Sequence, residues 1–133
     1  MENEGRILHF SGLNLILILF WMGVIFSFSS IKGNTPISDP PLSFYIQRKG
    51  AHIGEYFIMM LLLINFLKTG FDEKLKVIFL SGLAALTYAV TDEVHQMFVF
   101  GREGKISDVG FDLIGIILAG LTVWFLYKIR KTD

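Results

Sequence analysis

The sequence predicts an all-α fold, a single polytopic bundle of four transmembrane helices occupying residues 1–133. Three observations carry this reading. The chain is 53% hydrophobic and 14% aromatic, with a mean hydropathy of +0.57, which is more apolar than a soluble domain of this size. Its charged residues, 18% of the total, gather in short clusters separated by long uncharged stretches. Each of those stretches can supply the roughly 20 helical residues that cross about 30 Å of hydrocarbon.

The first helix covers about residues 10–28, an apolar run through Leu13, Ile16, Leu19 and Trp21. The second covers about 50–67, centred on Phe57 to Leu63, the third about 77–97, and the fourth about 109–127. Between the first two helices, Ser29 to Lys49 holds all three prolines, Pro36, Pro40 and Pro41, and reads as an ordered or partly extended loop. The second connection, Lys68 to Lys76, is short and charged; the third, Phe98 to Ser107, carries Gly101 and Gly104 around Arg102. The small residues after the first apolar run resemble a cleavage site. Arg6 is opposed by Glu2 and Glu4, however, so the segment reads as a retained helix.

A formal net charge of zero leaves no basic footprint for nucleic acid. The absence of cysteine removes disulfides, thiolate metal sites and cysteine nucleophiles. Trp21, Phe44, Tyr45 and Trp124 read as interfacial or lipid-facing aromatics, and Met22, Met59, Met60 and Met97 as packing.

Orientation follows from lysine and arginine placement. With four helices, the termini and the second loop share one side and carry seven: Arg6, Lys68, Lys74, Lys76, Lys128, Arg130 and Lys131. The other side carries five: Lys32, Arg48, Lys49, Arg102 and Lys105. The margin is small, but Arg48, Lys49 and Arg102 read as belonging to a site and not to topology, which places both termini in the cytoplasm of a multi-pass cell-membrane protein.

Lys68, Lys76 and Lys128 anchor the inner interface, and about 20 residues outward the count reaches Arg48, Gln96 and Asp108 on three different helices. His52, Glu55, Asp92, Glu93 and Asp112 then fall one to two turns below the outer surface, at one depth. Lys49, His52, Glu55 and Tyr56 share a helix face, as do Asp92 and Gln96, and Asp108 and Asp112. Small residues at Gly54, Gly82, Ala85, Ala89, Gly115 and Ala119 would let the helices approach closely. An acidic group in a bilayer costs roughly 2.5–3.5 kcal/mol on insertion scales, so this many at one level require mutual pairing, water or a ligand.

Two chemistries and one structural reading suit the cluster. His52 and Glu55 have helical spacing for a divalent metal, joined by Asp92, Glu93 or Asp112; alternatively His52 simply hydrogen-bonds a carboxylate. Carboxylates beside a histidine also suit general acid–base work, with Lys49 and Arg102 available for an anionic group such as a lipid-linked phosphate. The structural reading is an ion-pair network of Lys49, Arg102, Asp92, Glu93 and Asp108 that holds three helices in register. Within it, the Gly101 turn is expected to bring Arg102 back onto Asp92 and Glu93. His95 sits nearer the rim.

At these residues the chain resembles the VanZ-like family of small bacterial membrane proteins. The resemblance lies in Phe26-Ser27-Phe28-Ser29-Ser30, in Lys49-Gly50-Ala51-His52-Ile53-Gly54-Glu55-Tyr56, in Thr91-Asp92-Glu93-Val94-His95-Gln96, and in Gly101-Arg102 followed by Ser107-Asp108, Asp112 and Gly115. That family often has Asn where this chain has Asp112. The resemblance implies a cell-envelope protein connected with resistance to the glycopeptide teicoplanin, with a polar site near the extracytoplasmic face. A membrane enzyme acting on a lipid or lipid-linked headgroup is the alternative, and an ion-coupled carrier ranks last, because the acidic groups gather at one face. The implied partners are the lipid bilayer and a lipid-linked envelope precursor or glycopeptide.

The orientation is open to cysteine-accessibility labelling, since the native chain has no cysteine to interfere. Single cysteines at Asp72 and Gly104 should react from opposite sides of the membrane. Labelling of both from outside would overturn the four-helix, termini-in arrangement.

Overall fold

The computed structural model describes residues 2–32, 41–102 and 104–130, with side chains from Gly12 onward. Four helices follow one another, α1 (Glu2–Ser29), α2 (Leu42–Leu67), α3 (Lys74–Gln96) and α4 (Ile106–Ile129), with no strand among the described residues. All four are long and apolar enough to cross a membrane, α1 over Gly12–Ser29.

The largest departure from expectation is the start of α2, eight residues before Gly50 and inside the predicted proline loop. Pro41 is not a barrier there but a beginning. It occupies the extended cap position (φ −62°, ψ 150°), and its carbonyl accepts the Phe44 amide at 2.9 Å. A proline at a helix start loses no hydrogen bond, and no further proline follows it in α2. Pro36 and Pro40 lie outside the described residues. The start of α1 likewise lies eight residues before the expected one and α2 ends at Leu67 as expected, while the remaining boundaries move outward by one to three residues or, at the end of α3, inward by one. The α3–α4 connection turns at Gly101, whose φ of 75° is a left-handed conformation natural to glycine.

Helix α2 is central. It packs most extensively on α4, then on α3 and α1, while α1 touches α3 lightly and does not reach α4. The apolar core joins Ile18 and Ile25 of α1 to Tyr56, Met59, Met60 and Ile64 of α2, Val77, Ala85 and Ala89 of α3, and Ile116 and Ala119 of α4. Outside it lies a belt of exposed large apolar residues, including Leu19, Phe20, Phe79, Leu83, Leu121 and Phe125. In water such a surface would mark an association site; on four spanning helices it is what lipid contacts.

Because lipid is as apolar as leucine, helix association here depends on close packing and interhelical hydrogen bonds. Helix α1 shows the second device at three levels. Asn65 Nδ2 donates to Asn14 Oδ1 at 2.8 Å, and Asn14 Nδ2 donates to the Asn65 carbonyl at 3.4 Å. Midway, Trp21 Nε1 donates to the Glu55 carbonyl and the Tyr88 hydroxyl to the Met22 carbonyl, at 2.9 and 2.8 Å. At the far end, the Ser29 hydroxyl donates to Asp92 Oδ2 at 2.8 Å. Trp21 is therefore an inward-facing donor, half-buried against the core, and not the lipid-facing aromatic its sequence position suggests. Its indole N–H has no acceptor in lipid and finds one on α2. Trp124, by contrast, is 45% exposed with Lys128 over its ring. Met59 and Met60 are core residues, whereas Met97 is 66% exposed.

The first device is concentrated where α4 meets α2. A Cβ on Gly115 would lie 2.2 Å from the Ile53 carbonyl oxygen and 3.0 Å from the Phe57 nitrogen, so the two backbones touch at that point. Ala85, Ala89 and Ala119 are fully buried as expected. Gly54 does not take part: it is exposed, and a Cβ there would meet nothing within 4 Å. Gly104 has no room for a side chain, since a Cβ would fall 2.6 Å from the Glu93 carbonyl oxygen, so Ile106, 93% exposed, is the better outer labelling position.

Gly115→Ala should force α2 and α4 apart, at a cost in the range of about 1–3 kcal/mol seen for overpacked cores, or more because backbone atoms are in the way. Gly110→Ala, where a Cβ meets nothing within 4 Å, should be neutral or stabilising. Thermal unfolding of the two variants in detergent checks this. Equal melting temperatures would contradict the backbone contact.

Candidate functional site

The N-terminal ends of α2 and α4 and the C-terminal end of α3 do meet, and the C-terminal end of α1 meets them as well. Nine polar or charged residues among those described are buried, and seven of them lie here: Ser29, His52, Asp92, Glu93, Gln96, Asp108 and Asp112. Their helical spacing explains the convergence. Asp108, Asp112, Gly115, Ile116 and Ala119 form one buried face of α4, and Asp92, Glu93 and Gln96 the buried end of α3. On α2, Lys49, His52 and Tyr56 turn inward along a single stripe.

Two ionic contacts join α2 to α4, one above the other. In the outer one, Asp108 accepts a hydrogen bond from Lys49 and has Arg48 Nη2 at 3.5 Å. Lys49 also lies over the Phe111 ring, 4.6 Å from its centre. One turn deeper, His52 Nδ1 and Asp112 Oδ1 are 2.8 Å apart, with both side chains almost completely buried.

A second network ties α3 to α1 and to the last loop. Gln96 Nε2 donates to Asp92 Oδ2 at 2.9 Å and to Glu93 Oε1 at 3.3 Å. Glu93 Oε2 accepts the Lys105 backbone amide at 2.9 Å. Ser29 closes the network on Asp92.

Arg102 behaves differently from expectation. Among the described residues its guanidinium forms no ion pair with Asp92 or Glu93. Its Nη2 donates to the Phe28 carbonyl at 2.6 Å and its Nε to the Ile31 carbonyl at 3.0 Å, while Nη1 reaches Gln96 Oε1 at 3.4 Å. The physical reason is the open end of α1. The last carbonyls of a helix lack intrahelical donors, and a guanidinium fork supplies them. Arg102 still joins the acidic group, but through the Gln96 amide. Burial, followed by the nearby Arg48 charge, lowers its pKa from the ordinary value, with Asp92, Glu55 and Glu93 acting against the shift.

Between the end of α1, the outer part of α2 and the end of α3 lies a cavity of about 340 Å³. Arg48, His52, Glu55, Gln96, Arg102 and Ser29 line it, along with Phe28, Ile31 and Ala51. Of the polar groups expected at the site, Glu55 belongs to this wall, while Tyr56 lies deeper, fully buried with its hydroxyl unpartnered. A larger cavity of about 560 Å³ between α3 and α4 is lined by apolar residues, glycines and Trp124, so it offers no acid–base chemistry. His95 stands at the rim, stacked on Phe26 with ring centres 4.4 Å apart and 3.0 Å from the Ser30 hydroxyl.

Three residues have metal-ligand geometry. One nitrogen of His52 and one carboxylate oxygen each from Glu93 and Asp112 all lie within 4.8 Å of one another, and all three residues are buried. Glu55, expected as the partner of His52 on spacing alone, is not in this group. Arg48, expected to belong to a site together with Lys49 and Arg102, lines the cavity. Ser29 lines it too, and a serine at the end of an apolar helix carries no ligand signal of its own.

The fold and the buried polar end define a polytopic α-helical membrane protein. The VanZ/LLP1 family model matches residues 10–128, a span that contains every residue of the cluster, and the chain belongs to that family. No curated protein and no solved structure matches it.

Arg102→Lys should lose most of what Arg102 contributes, although charge is conserved, because an ammonium cannot fork between two carbonyls. The loss expected is about 1.5–3 kcal/mol, the scale of hydrogen bonds to a charged group. Thermal unfolding of the Lys and Gln variants, together with the rate of disulfide cross-linking between Ile31→Cys and neighbouring positions, checks it. A fully stable Arg102→Lys protein would show that the fork is dispensable.

Proposed function

We infer that the protein is a bacterial cell-envelope protein that takes the anionic, phosphate-bearing headgroup of a membrane lipid or lipid-linked envelope precursor into the cavity beside α1. The observation that carries this reading is the pair Arg48 and Arg102. They come from separate elements, line one cavity, and are close enough for the charge of one to disfavour that of the other. Two guanidinium groups lining one cavity can bind a phosphate through paired hydrogen bonds, and Nε and Nη2 of Arg48 are buried without a hydrogen-bond partner. With the termini in the cytoplasm, the cavity opens at the extracytoplasmic leaflet. Lipid-linked wall precursors and glycopeptides meet at that leaflet, which gives the resistance phenotype implied by the family resemblance a physical route.

The residues divide by role in this reading. Arg48 and Arg102 hold the anion, and Gln96 and Ser29 position it. Lys49 and Asp108 keep α2 and α4 in register, with Tyr56 packed beneath. His52, paired with Asp112, and Glu55 stand at the cavity wall, with Glu93 and Asp92 behind.

A second reading, an enzyme acting on the same headgroup, is favoured by one observation. His52 lines the cavity while its Nδ1 is held by Asp112, the orientation that frees the other ring nitrogen for proton transfer.

Native mass spectrometry of purified protein, with co-purifying lipids identified, tests the binding reading. Wild type should retain a phosphate-bearing lipid, and Arg48→Gln should reduce its occupancy by at least about tenfold in affinity, the equivalent of 1.4 kcal/mol. Equal retention by a folded Arg48→Gln protein would defeat the assignment. A changed headgroup that appears with wild type and disappears with folded Glu93→Gln or His52→Gln selects the enzyme.

A further inference from the structure

We propose that His52, Glu93 and Asp112 bind one divalent first-row transition ion, with Zn²⁺ the best fit, between α2, α3 and α4. The inference stands on the buried cluster beneath the cavity and does not depend on headgroup binding.

Geometry comes first. The three donors come from three helices that are already packed against one another, so binding needs no large rearrangement. Their ligand atoms lie within 4.8 Å of one another, and around a tetrahedral ion at ordinary bond lengths they would stand about 3.4 Å apart. His52 and Asp112, at 2.8 Å, are already inside that distance. Glu93 therefore has to move inward by about 1.4 Å at most, from 4.8 Å towards that spacing, which a side-chain rotation supplies.

Partnership is the second, independent observation. Asp112 is 0% exposed, and its Oδ2 has no hydrogen-bond partner. A buried carboxylate oxygen without a donor costs about 1–3 kcal/mol or more, and this one belongs to the residue at the centre of the cluster. A metal ion satisfies it directly. Asp92 Oδ1 is also buried and unpartnered, on the residue next to Glu93 in α3.

Charge gives the third argument. Glu93 and Asp112 bring two carboxyl groups together in a buried cluster, and each that ionises adds a negative charge there. Asp108 engages both Arg48 and Lys49, and Arg102 is turned to the carbonyls of α1. A hydrogen bond from His52, even protonated, offsets one charge; a divalent ion offsets both and leaves the imidazole neutral.

The surroundings have the form of a second coordination shell. Glu93 accepts hydrogen bonds from Gln96 and the Lys105 amide, which fix its carboxylate while each oxygen retains a further lone pair. One imidazole with two carboxylates suits Zn²⁺, Mn²⁺ or Fe²⁺ better than Ca²⁺ or Mg²⁺. Three protein ligands also leave a coordination position open, and His52 places that side of the cluster against the cavity.

The test uses untagged full-length protein in detergent, stripped with a chelator, delipidated and reloaded with Zn²⁺ alone. Elemental analysis should find close to one Zn²⁺ per chain, and Co²⁺ in its place should give the visible d–d absorption of a low-symmetry site. Asp112→Asn and His52→Gln should weaken binding at least tenfold, whereas His95→Gln should retain the metal and the cobalt spectrum. Wild-type protein that retains no Zn²⁺ above the Asp112→Asn level, or whose cobalt spectrum is that of the aqueous ion, overturns the site. The wild-type spectrum decides even if a variant fails to fold. Lipid retention by the stripped protein is measured separately, so loss of metal binding and loss of headgroup binding are distinguishable results.

Discussion

The two ionic contacts that join α2 to α4 depend on how closely α4 approaches α2. Gly115 lies against the Ile53 carbonyl with no space for a methyl group, and that contact brings Asp112 and Asp108 within reach of His52 and Lys49. In hydrocarbon a carboxylate has no water to fall back on, so its partner must be supplied by a neighbouring helix at short range. A bundle held only by larger side chains would separate α2 and α4 by additional ångströms and leave both aspartates unpaired. Small residues and buried charges are two aspects of one requirement here.

Polarity is also distributed along the membrane normal in an uneven way. Among the described residues, apart from the Asn14–Asn65 pair and Ser81, the buried polar side chains gather at one end of the bundle, and its middle is filled by Met59, Met60, Ala85, Ile116 and Ala119. A carrier would need polar groups reachable from both faces. A site at headgroup depth needs them at one face only, and its interior can remain a packed apolar plug.

Much of this was legible in the sequence. Four long apolar stretches fix four helices, and the count from the inner lysines places His52, Asp92, Glu93 and Asp112 at one level. Helical spacing alone predicts that Asp108, Asp112 and Ile116 share a buried face. What the sequence did not reveal has identifiable causes. Pro41 marks a helix start and a loop equally well until its φ and ψ are known. Arg102 lies near several carboxylates in any three-helix arrangement, but the carbonyls it chooses, those of Phe28 and Ile31, lie at and just past the end of α1, a helix with no charged residue after Arg6 to announce its approach. Trp21 looks like every other aromatic in a spanning segment, and its N–H acceptor is a backbone atom, which no side-chain pattern encodes. The same holds for Glu55 and Glu93. Both are acidic residues near His52, and only the packing of α3 shows which of them reaches the His52–Asp112 pair.

The Asn14–Asn65 amide pair has a consequence for the longitudinal placement of α1. It sits fifteen residues from Ser29 along that helix, about 22 Å at helical rise, and both ends are fastened to the rest of the bundle by side-chain hydrogen bonds. Sliding α1 by one turn, about 5.4 Å, would preserve much of its apolar contact, because leucine and isoleucine recur at every turn. It would also break the fastenings at both ends together. The two pins act like the marks of a vernier, allowing one reading along the axis, and the wall that Phe28, Ser29 and Ile31 give the outer cavity inherits its height from an amide pair near the opposite membrane face.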